Sequence, residues 1–143
     1  MLWYRMIGLL LILSGLLSSC SDQRVSIETI PAYPDAAPLQ PGEHPFADST
    51  RTLFENIVGD QMTTQVQLYR LPMETTLENV KTFYGEQFRE SDWSLDEAAA
   101  AQEGYMRMAT WKRGNILQGE QILLIGFLPG EASNTMMVGL FSQ

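Results

Sequence analysis

The segment Gln121–Leu128 (QILLIGFL) places the strongest limit on how this chain can fold. Alternate side chains of an extended strand point to opposite faces of a sheet, and here both alternating sets are apolar. The two sets are Ile122, Leu124 and Gly126 on one side, and Leu123, Ile125 and Phe127 on the other. Such a strand is stable where both faces of the sheet are covered. We therefore expect a sheet with Gln121–Leu128 at its centre.

Other segments have the composition of strands, and turn signals separate them. The segments are Thr50–Ile57, Thr63–Leu71, Tyr105–Lys112 and Thr135–Phe141, and the turn signals are Gly59-Asp60, Arg113-Gly114-Asn115 and Pro129-Gly130. Short connections of this kind join antiparallel neighbours. In Thr63–Leu71, Val66 and Leu68 alternate with polar residues, which is typical of an antiparallel strand with one face buried.

A helix is predicted between the second and third strands. Thr75 and Glu78 have the spacing of a capping box, which marks a helix start. Apolar residues at helical spacing then form one stripe, which consists of Leu77, Val80, Tyr84 and Phe88 and is widened by Phe83. The helix is expected to end at Ser91-Asp92. The fold class is therefore α+β, with a single antiparallel sheet of about five strands (ββ-α-βββ) and one amphipathic helix across one face.

The amino-terminal segment has the pattern of an export signal. Met1–Arg5 carries a positive charge, Met6–Leu17 is an apolar run interrupted by glycines, and two serines follow. A charged start, a short apolar stretch and small residues before a cleavage site are typical of a secretory signal peptide. The run is shorter than the roughly 20 residues that a membrane-crossing helix needs. We therefore expect this segment to be a signal peptide that is removed on export.

Leu17-Ser18-Ser19-Cys20 resembles the lipobox of bacterial lipoproteins, in which Leu and two small residues precede the modified cysteine. The resemblance implies that diacylglycerol is attached to the Cys20 thiol and that residues 1–19 are removed by cleavage between Ser19 and Cys20. It further implies that the new amino terminus is acylated, for example with palmitate. It also implies a protein of the bacterial cell envelope, anchored to a membrane by lipid and facing the periplasm or the exterior. Ser21 after the cysteine favours the outer membrane, if the cell has one.

The mature chain is expected to consist of a tether and one domain. Five of the seven prolines lie between residues 21 and 47, and proline favours the extended polyproline II conformation. We therefore expect residues 20–47 to form the lipidated amino terminus and a semi-rigid spacer, and residues 48–143 to form the globular domain. The alternative is that Val25-Ser26-Ile27 and the Tyr33-Pro34 turn dock on the domain.

The net charge limits the kinds of partner, and the cysteine content limits the disulfides that the domain can form. The net charge is −8 and becomes one unit more negative when Arg5 is removed with the signal. An acidic body argues against nucleic acid as a partner and against electrostatic binding to anionic lipid headgroups. Because Cys20 is the only cysteine and is assigned to lipid, the domain must hold together without disulfides.

Catalytic patterns are not found in the sequence. The single histidine, His44, lies between Glu43 and Pro45 in the expected spacer, and no serine has a G-x-S-x-G context. We predict no catalytic residues and no cofactor; a hydrolase that uses surface carboxylates stays as an alternative. The candidates for a ligand groove are Tyr84, Trp93, Tyr105 and Trp111, because such side chains combine area with a polar tip. They could equally fill the space between helix and sheet, which we expect for Trp93.

Metal binding is considered at two places. Asp92, Ser94, Asp96 and Glu103 have the spacing of calcium ligands in an EF-hand loop, but Glu97 stands where that loop requires glycine. Met106 and Met108 share one strand face, and soft thioethers bind Cu(I). Methionine is also an ordinary core residue. We predict no bound metal and retain Met106 and Met108 as the candidate ligands if the protein handles copper.

Tyr33-Pro34-Asp35-Ala36 and the stretch Gln67–Trp93 together resemble small exported bacterial domains whose function is not known. In those domains a strand leads to a helix with a tyrosine-rich end and then to a Gly-Trp pair, for which Asp92-Trp93 stands here. The resemblance transfers no site residues. The sequence thus predicts a lipid-anchored envelope protein whose domain binds or assembles with another envelope component. Hydrolysis, or the handling of Cu(I) or calcium, is the alternative.

Overall fold

One open antiparallel sheet organises this computed structural model, which describes residues 24–58, 62–97, 102–103, 106–114 and 119–143. The described elements, in chain order, are β1 (Ala37–Pro38), α1 (Pro45–Val58), β2 (Thr63–Leu71), α2 (Leu77–Gln87), β3 (Ser94–Leu95), β4 (Gln102–Glu103), β5 (Met106–Arg113), β6 (Gln121–Leu128) and β7 (Asn134–Ser142). The strand order is β1-β2-β7-β6-β5-β3, and β4 pairs with β5 outside this path. The prediction of an α+β fold with a single antiparallel sheet is confirmed.

The central strand is where the sequence predicts it. β6 has the predicted bounds and pairs with β5 on one side and β7 on the other. Its alternate side chains Leu123, Ile125 and Phe127 belong to the main hydrophobic core, while Leu124 packs in a second, smaller core on the opposite face. The predicted β2 also has the observed bounds, and the predicted β5 and β7 match within one residue at each end.

Helix α2 covers the main face of the sheet, as predicted. Val80, Tyr84 and Phe88 are buried in the main core, and Leu77 and Phe83 pack against it. The helix starts one residue later than the predicted capping box: Thr76 is the N-cap, and its side chain and that of Asn79 satisfy each other's backbone N–H groups. Asn79 therefore has the role that the sequence analysis gave to Glu78.

The predicted strand Thr50–Ile57 is wrong, because this segment lies in helix α1. Pro45 is the first residue of α1, a position where its fixed φ is favourable and its missing N–H costs nothing. The β-branched and hydroxyl residues are accommodated because their side chains bond back to the preceding turn: Ser49 Oγ donates to the Pro45 carbonyl and Thr52 Oγ1 to the Asp48 carbonyl. The order ββ-α-βββ with one helix is therefore incorrect, since two α-helices lie in the described ranges.

The interpretation of residues 20–47 as a spacer is also wrong for the part that the structure describes. The prolines occupy defined positions instead of a polyproline helix. Pro34 precedes Asp35 in a turn closed by the Ala36 N–H and the Tyr33 carbonyl, and Asp35 has a φ of 59°. Pro38 lies in the edge strand β1, where a missing N–H is tolerated. The folded domain therefore includes residues from Val25 onward and does not begin at residue 48.

The entry segment 24–30 is fixed on the main face of the sheet by two glutamines. Gln121 accepts a hydrogen bond from the Val25 N–H and donates to the Val25 carbonyl, both at 2.9 Å. Gln65 accepts from the Ile27 N–H at 2.9 Å. Ile30 is buried in the main core, with Val25 and Ile27 packed against it. The docking alternative that Val25-Ser26-Ile27 raised is the one observed.

We predict that Gln121→Ala lowers the free energy of unfolding by about 2–4 kcal/mol, because a buried amide with three hydrogen bonds is lost and its partners at Val25 and Ser142 lose theirs. Urea unfolding of residues 21–143 measures the effect. Gln87→Ala, at an exposed position at the end of α2, is the control and should change stability little. A similar small effect for both substitutions would contradict the docking of the entry segment.

Candidate functional site

The aromatic side chains proposed for a ligand groove mostly form core. Tyr84 and Trp111 are 0% and 2% exposed, and their ring centroids are 6.0 Å apart. The ring of Phe88 contacts both Trp111 and Trp93, with centroid distances of 6.0 Å and 5.7 Å. These rings fill the space between α2 and the sheet, which was the alternative interpretation. Tyr84 and Trp111 do not line a groove, and Tyr105 lies outside the described residues.

Trp93 differs from the other rings because it also borders an open cleft. The cleft has a volume of about 500 Å³, and its walls come from the entry segment, from the turn after α2 and from the end of β5. Besides Trp93, the cleft is lined by polar and charged side chains: Arg24, Ser26, Thr29, Ser91, Asp92 and Arg113. Of the sequence-predicted groove residues, Trp93 is the one that the structure brings to a solvent-open site within the described ranges.

The turn after α2 positions one wall of the cleft. The Ser91 N–H and Oγ both donate to the Phe88 carbonyl, so the chain turns sharply at the end of the helix. The Trp93 N–H then donates to Ser91 Oγ at 3.3 Å, which directs the indole toward Phe88 and the core. The pairing of β3 with β5 follows directly and holds this turn next to Arg113.

Arg113 and Asp92 form an ion pair at the floor of the cleft. Arg113 Nε lies 2.6 Å from Asp92 Oδ2, and the side chains are 20% and 63% exposed. A charge-assisted hydrogen bond at this distance is short, and it fixes the direction of the guanidinium. The pair is partly open to water, so its role is to orient Arg113 more than to stabilise the fold.

The entry segment forms the opposite wall. Arg24 and Thr29 are exposed, and Ser26 is half-buried. Thr29 Oγ1 donates to the Ser26 carbonyl at 2.7 Å, which closes a short turn. A smaller cleft of about 190 Å³ lies on the other side of this segment, between Arg24, Val25 and Ser26 and the sheet residues Thr63, Gln65 and Ser142. Arg24 therefore borders both clefts.

The larger cleft has the chemistry of a recognition site for a polar, anionic ligand. It offers two guanidinium groups against one carboxylate, together with an indole ring. The hydroxyl groups of Ser26, Thr29 and Ser91 also line it, but they already donate their hydrogens within the protein. Guanidinium groups are the preferred partners of phosphate and carboxylate because they form charge-assisted, two-point hydrogen bonds. The sequence analysis missed this site because residues 24–29 were assigned to a spacer. The available signal was the alternation of Val25-Ser26-Ile27.

The carboxylates with calcium-loop spacing do not form such a loop. Asp96 Oδ2 lies 2.6 Å from Lys112 Nζ, and Asp92 is paired with Arg113. Ser94 lies in β3 and pairs with Lys112 of β5, so the segment is an edge strand. The hydrogen bond to Asp96, with the charge of that carboxylate, raises the pKa of Lys112. Among the described residues, no group of three or more His, Cys, Asp or Glu side chains has the geometry to hold a metal.

Met106 and Met108 lie on the face of β5 opposite to α2. Met106 packs with Leu68 and Met137 in the second core, and its Sδ would lie 3.1 Å from a Cβ built on Gly126. Met137 is 1% exposed, and its Cε would lie 3.2 Å from the same Cβ. The absence of a side chain at Gly126 thus leaves room for methionines from both neighbouring strands. This is the core packing that the sequence analysis expects of methionine, and copper handling by Met106 and Met108 stays an untested alternative.

Three further residues named from the sequence need placing. His44 precedes α1, and its carbonyl accepts the Asp48 N–H at 3.0 Å, so its backbone helps to start the helix. Ser19 and Cys20 lie outside the described residues, as does the whole predicted signal peptide. In the described ranges, we find no helix that is both long and apolar enough to cross a membrane.

Comparison with known proteins gives no match: no family model, curated protein or solved structure matches this chain.

We predict that Tyr84→Phe stabilises the protein by about 1 kcal/mol, because the Tyr84 hydroxyl is buried and has no hydrogen-bond partner in the structure. Burial, and secondarily the nearby Tyr69, raises the pKa of Tyr84 far above its ordinary value of 10.0. Above pH 10 an unfolded Tyr84 therefore ionises while the folded one stays neutral. This lowers the free energy of unfolding by about 1.4 kcal/mol per pH unit.

The phenylalanine variant should accordingly lose part of this alkaline decline. Urea unfolding of residues 21–143 at pH 8 and at several values above pH 10 measures both effects. Burial also raises the pKa of Tyr69, so some decline remains in the variant. The prediction is contradicted if the free energy of unfolding of the variant falls above pH 10 as steeply as that of the wild type, and if the variant is also less stable at pH 8. That result would show that the Tyr84 hydroxyl has a hydrogen-bond partner.

Proposed function

We propose that this chain is a lipid-anchored protein of the bacterial cell envelope, whose α+β domain binds another envelope component. The proposal combines two independent features. The export segment and the lipobox ending at Cys20 support the anchor. The cleft between the entry segment and the turn at Ser91–Trp93 supports the binding role. The domain would act by recognition and not by catalysis.

The observation that carries the binding role is the composition of the cleft. Small-molecule and headgroup sites are concave and combine apolar surface with a few oriented polar groups. Here Trp93 supplies the apolar edge, and Arg113 is held in a fixed direction by Asp92. Arg24 adds a second positive charge in a chain of net charge −8. The charged side chains of the lining thus leave an excess of one positive charge in an acidic protein, which favours an anionic ligand at this place.

We predict that the natural protein begins at Cys20 and carries acyl groups, and that Cys20→Ser releases it from the membrane. Each buried methylene contributes about 0.8 kcal/mol, so two or more chains hold a protein at a bilayer without help from its surface. Mass spectrometry of the amino terminus and fractionation of membranes measure both properties.

Ser21→Ala is the matched control for Cys20→Ser, since it removes a neighbouring hydroxyl and leaves the thiol. It should stay acylated and remain in the membrane fraction. A wild-type protein that begins at Met1, or that is recovered in the soluble fraction without detergent, would refute the anchor.

The binding role predicts a ligand within reach of Thr29. A photoreactive amino acid at Thr29, which is exposed and borders the cleft, should give a crosslinked adduct in intact envelopes. The same amino acid at the exposed Thr82 of α2 should not. Arg113→Gln should weaken the Thr29 adduct several-fold, because it removes the oriented guanidinium. Equal adducts at both positions, or none at Thr29, would count against a binding site in the cleft.

A further inference from the structure

The chain enters the folded domain at one end of the sheet. The Val25 N–H donates a hydrogen bond to the Gln121 side chain, and the Val25 carbonyl accepts one from it. In the strand ladders, Gln121 lies opposite Arg113 and Ser142, and Ser142 lies opposite Thr63. These four residues are the ends of the four long strands. Both clefts open beside Val25 at this end, which we call the entry end.

The length of chain before Val25 limits how far this end can lie from a lipid on Cys20. Cys20 and Val25 are five residues apart. An extended chain advances by at most about 3.6 Å per residue, so the two Cα atoms are separated by no more than about 18 Å. The headgroup layer is about 5–7 Å thick on each side of the bilayer. An anchored Cys20, which this inference takes from the proposed function, therefore holds Val25 within about 12 Å of the headgroup surface.

The opposite end of the sheet has no such restraint. β2 and β7 each contain nine residues, so they span about 30 Å at roughly 3.3 Å per residue. At this far end, the exposed acidic side chains are Glu74, just after β2, and Glu131, in the β6–β7 turn. Arg70 and Arg107 are exposed near the same end and offset these carboxylates, so charge does not set the orientation. The upright orientation follows from the short reach of the chain before Val25.

The entry end carries Arg24, the cation of the described residues that is closest in sequence to Cys20. Arg24 is exposed and borders both clefts, and Arg113 lies at the floor of the larger one. Carboxylates are also present at this end, and the exposed ones include Glu28 of the entry segment and Glu90 just before Ser91. Asp92 is paired with Arg113, and Glu120 is half-buried. Lys and Arg side chains that lie within about one Debye length of an anionic headgroup layer are attracted to it.

We propose that the entry end of the sheet is a membrane-facing surface, and that its two clefts contact the phosphate-bearing headgroups of the bilayer that holds the anchor. The domain then stands directly on the membrane, with its long strands upright and its β6–β7 turn farthest away. This names the ligand class for the cleft: a phosphate group carried by a lipid. It also means that a soluble partner would approach the domain at the far end or along its sides.

Energy transfer from single labelled positions to the membrane surface tests the orientation. The acylated full-length product is reconstituted in vesicles of phosphatidylcholine and phosphatidylglycerol that contain an acceptor dye on a headgroup. The donor is placed on Thr63→Cys at the entry end or on Glu131→Cys at the far end; both positions are exposed. Because the lipid occupies the Cys20 thiol, each introduced cysteine is the single reactive thiol.

The expected result is strong transfer from position 63 and weak transfer from position 131, with apparent distances that differ by about 25–30 Å. A Gly/Ser insertion of 12 residues between Gln23 and Arg24, with an end-to-end length of about 20 Å, should reduce this difference severalfold. Equal transfer from the two positions, or stronger transfer from position 131, would overturn the orientation while leaving the anchor intact.

Arg24→Gln tests the headgroup contact separately from the reach of the chain. It should lower transfer from position 63 in vesicles rich in phosphatidylglycerol, whereas Arg70→Gln, at an exposed position near the far end of β2, should not. No change with Arg24→Gln would overturn the headgroup contact. A protein that fails to float with the vesicles would overturn the proposed anchor, and this orientation with it.

Discussion

The side-chain amide of Gln121 is the interaction on which the site depends. Gln121 starts the central strand and is 5% exposed, so its polar atoms need partners within the protein. Its side-chain oxygen accepts a hydrogen bond from the Val25 N–H. Its side-chain nitrogen donates to the Val25 carbonyl and to Ser142 Oγ at the end of β7. A single buried side chain thereby joins the entry segment to two strands. The two clefts exist because this segment lies on the sheet and leaves a gap on each side.

The larger cleft consequently combines parts of the chain that are far apart in sequence. Arg24–Thr29 comes from the entry segment, Ser91–Trp93 from the end of α2, and Arg113 from the end of β5. Each part is held by its own hydrogen bonds: those of Gln121 and Gln65, the turn bonds to the Phe88 carbonyl, and the pairing of β3 with β5. The site is therefore built on fixed elements, which is what the orientation of a polar ligand requires.

The sequence predicts the centre of the sheet and α2 because local patterns determine them. β6 is apolar on both sides, and α2 has one apolar stripe, so few arrangements could bury them. It misassigns α1 because Thr50 and Thr52 suggest a strand, whereas Ser49 and Thr52 satisfy their hydroxyls within the helix. Proline content misleads in residues 24–47 because turns and an edge strand use proline as readily as a spacer does. The alternation of Val25-Ser26-Ile27 could have indicated that the entry segment docks. The cleft itself could not be predicted, since Val25 and Gln121 are brought together only by the fold.

Amide hydrogen exchange at Val25 and Ile27 tests most directly whether the entry segment belongs to the folded domain. Both N–H groups donate to buried or half-buried glutamine side chains. The account predicts that the Val25 and Ile27 amides exchange only when the surrounding sheet opens. Their protection factors should therefore approach those of the amides in β6 and β7. Exchange at the rate of an unstructured peptide, while β6 and β7 stay protected, would show that the segment is a tether after all and would remove the basis for the cleft.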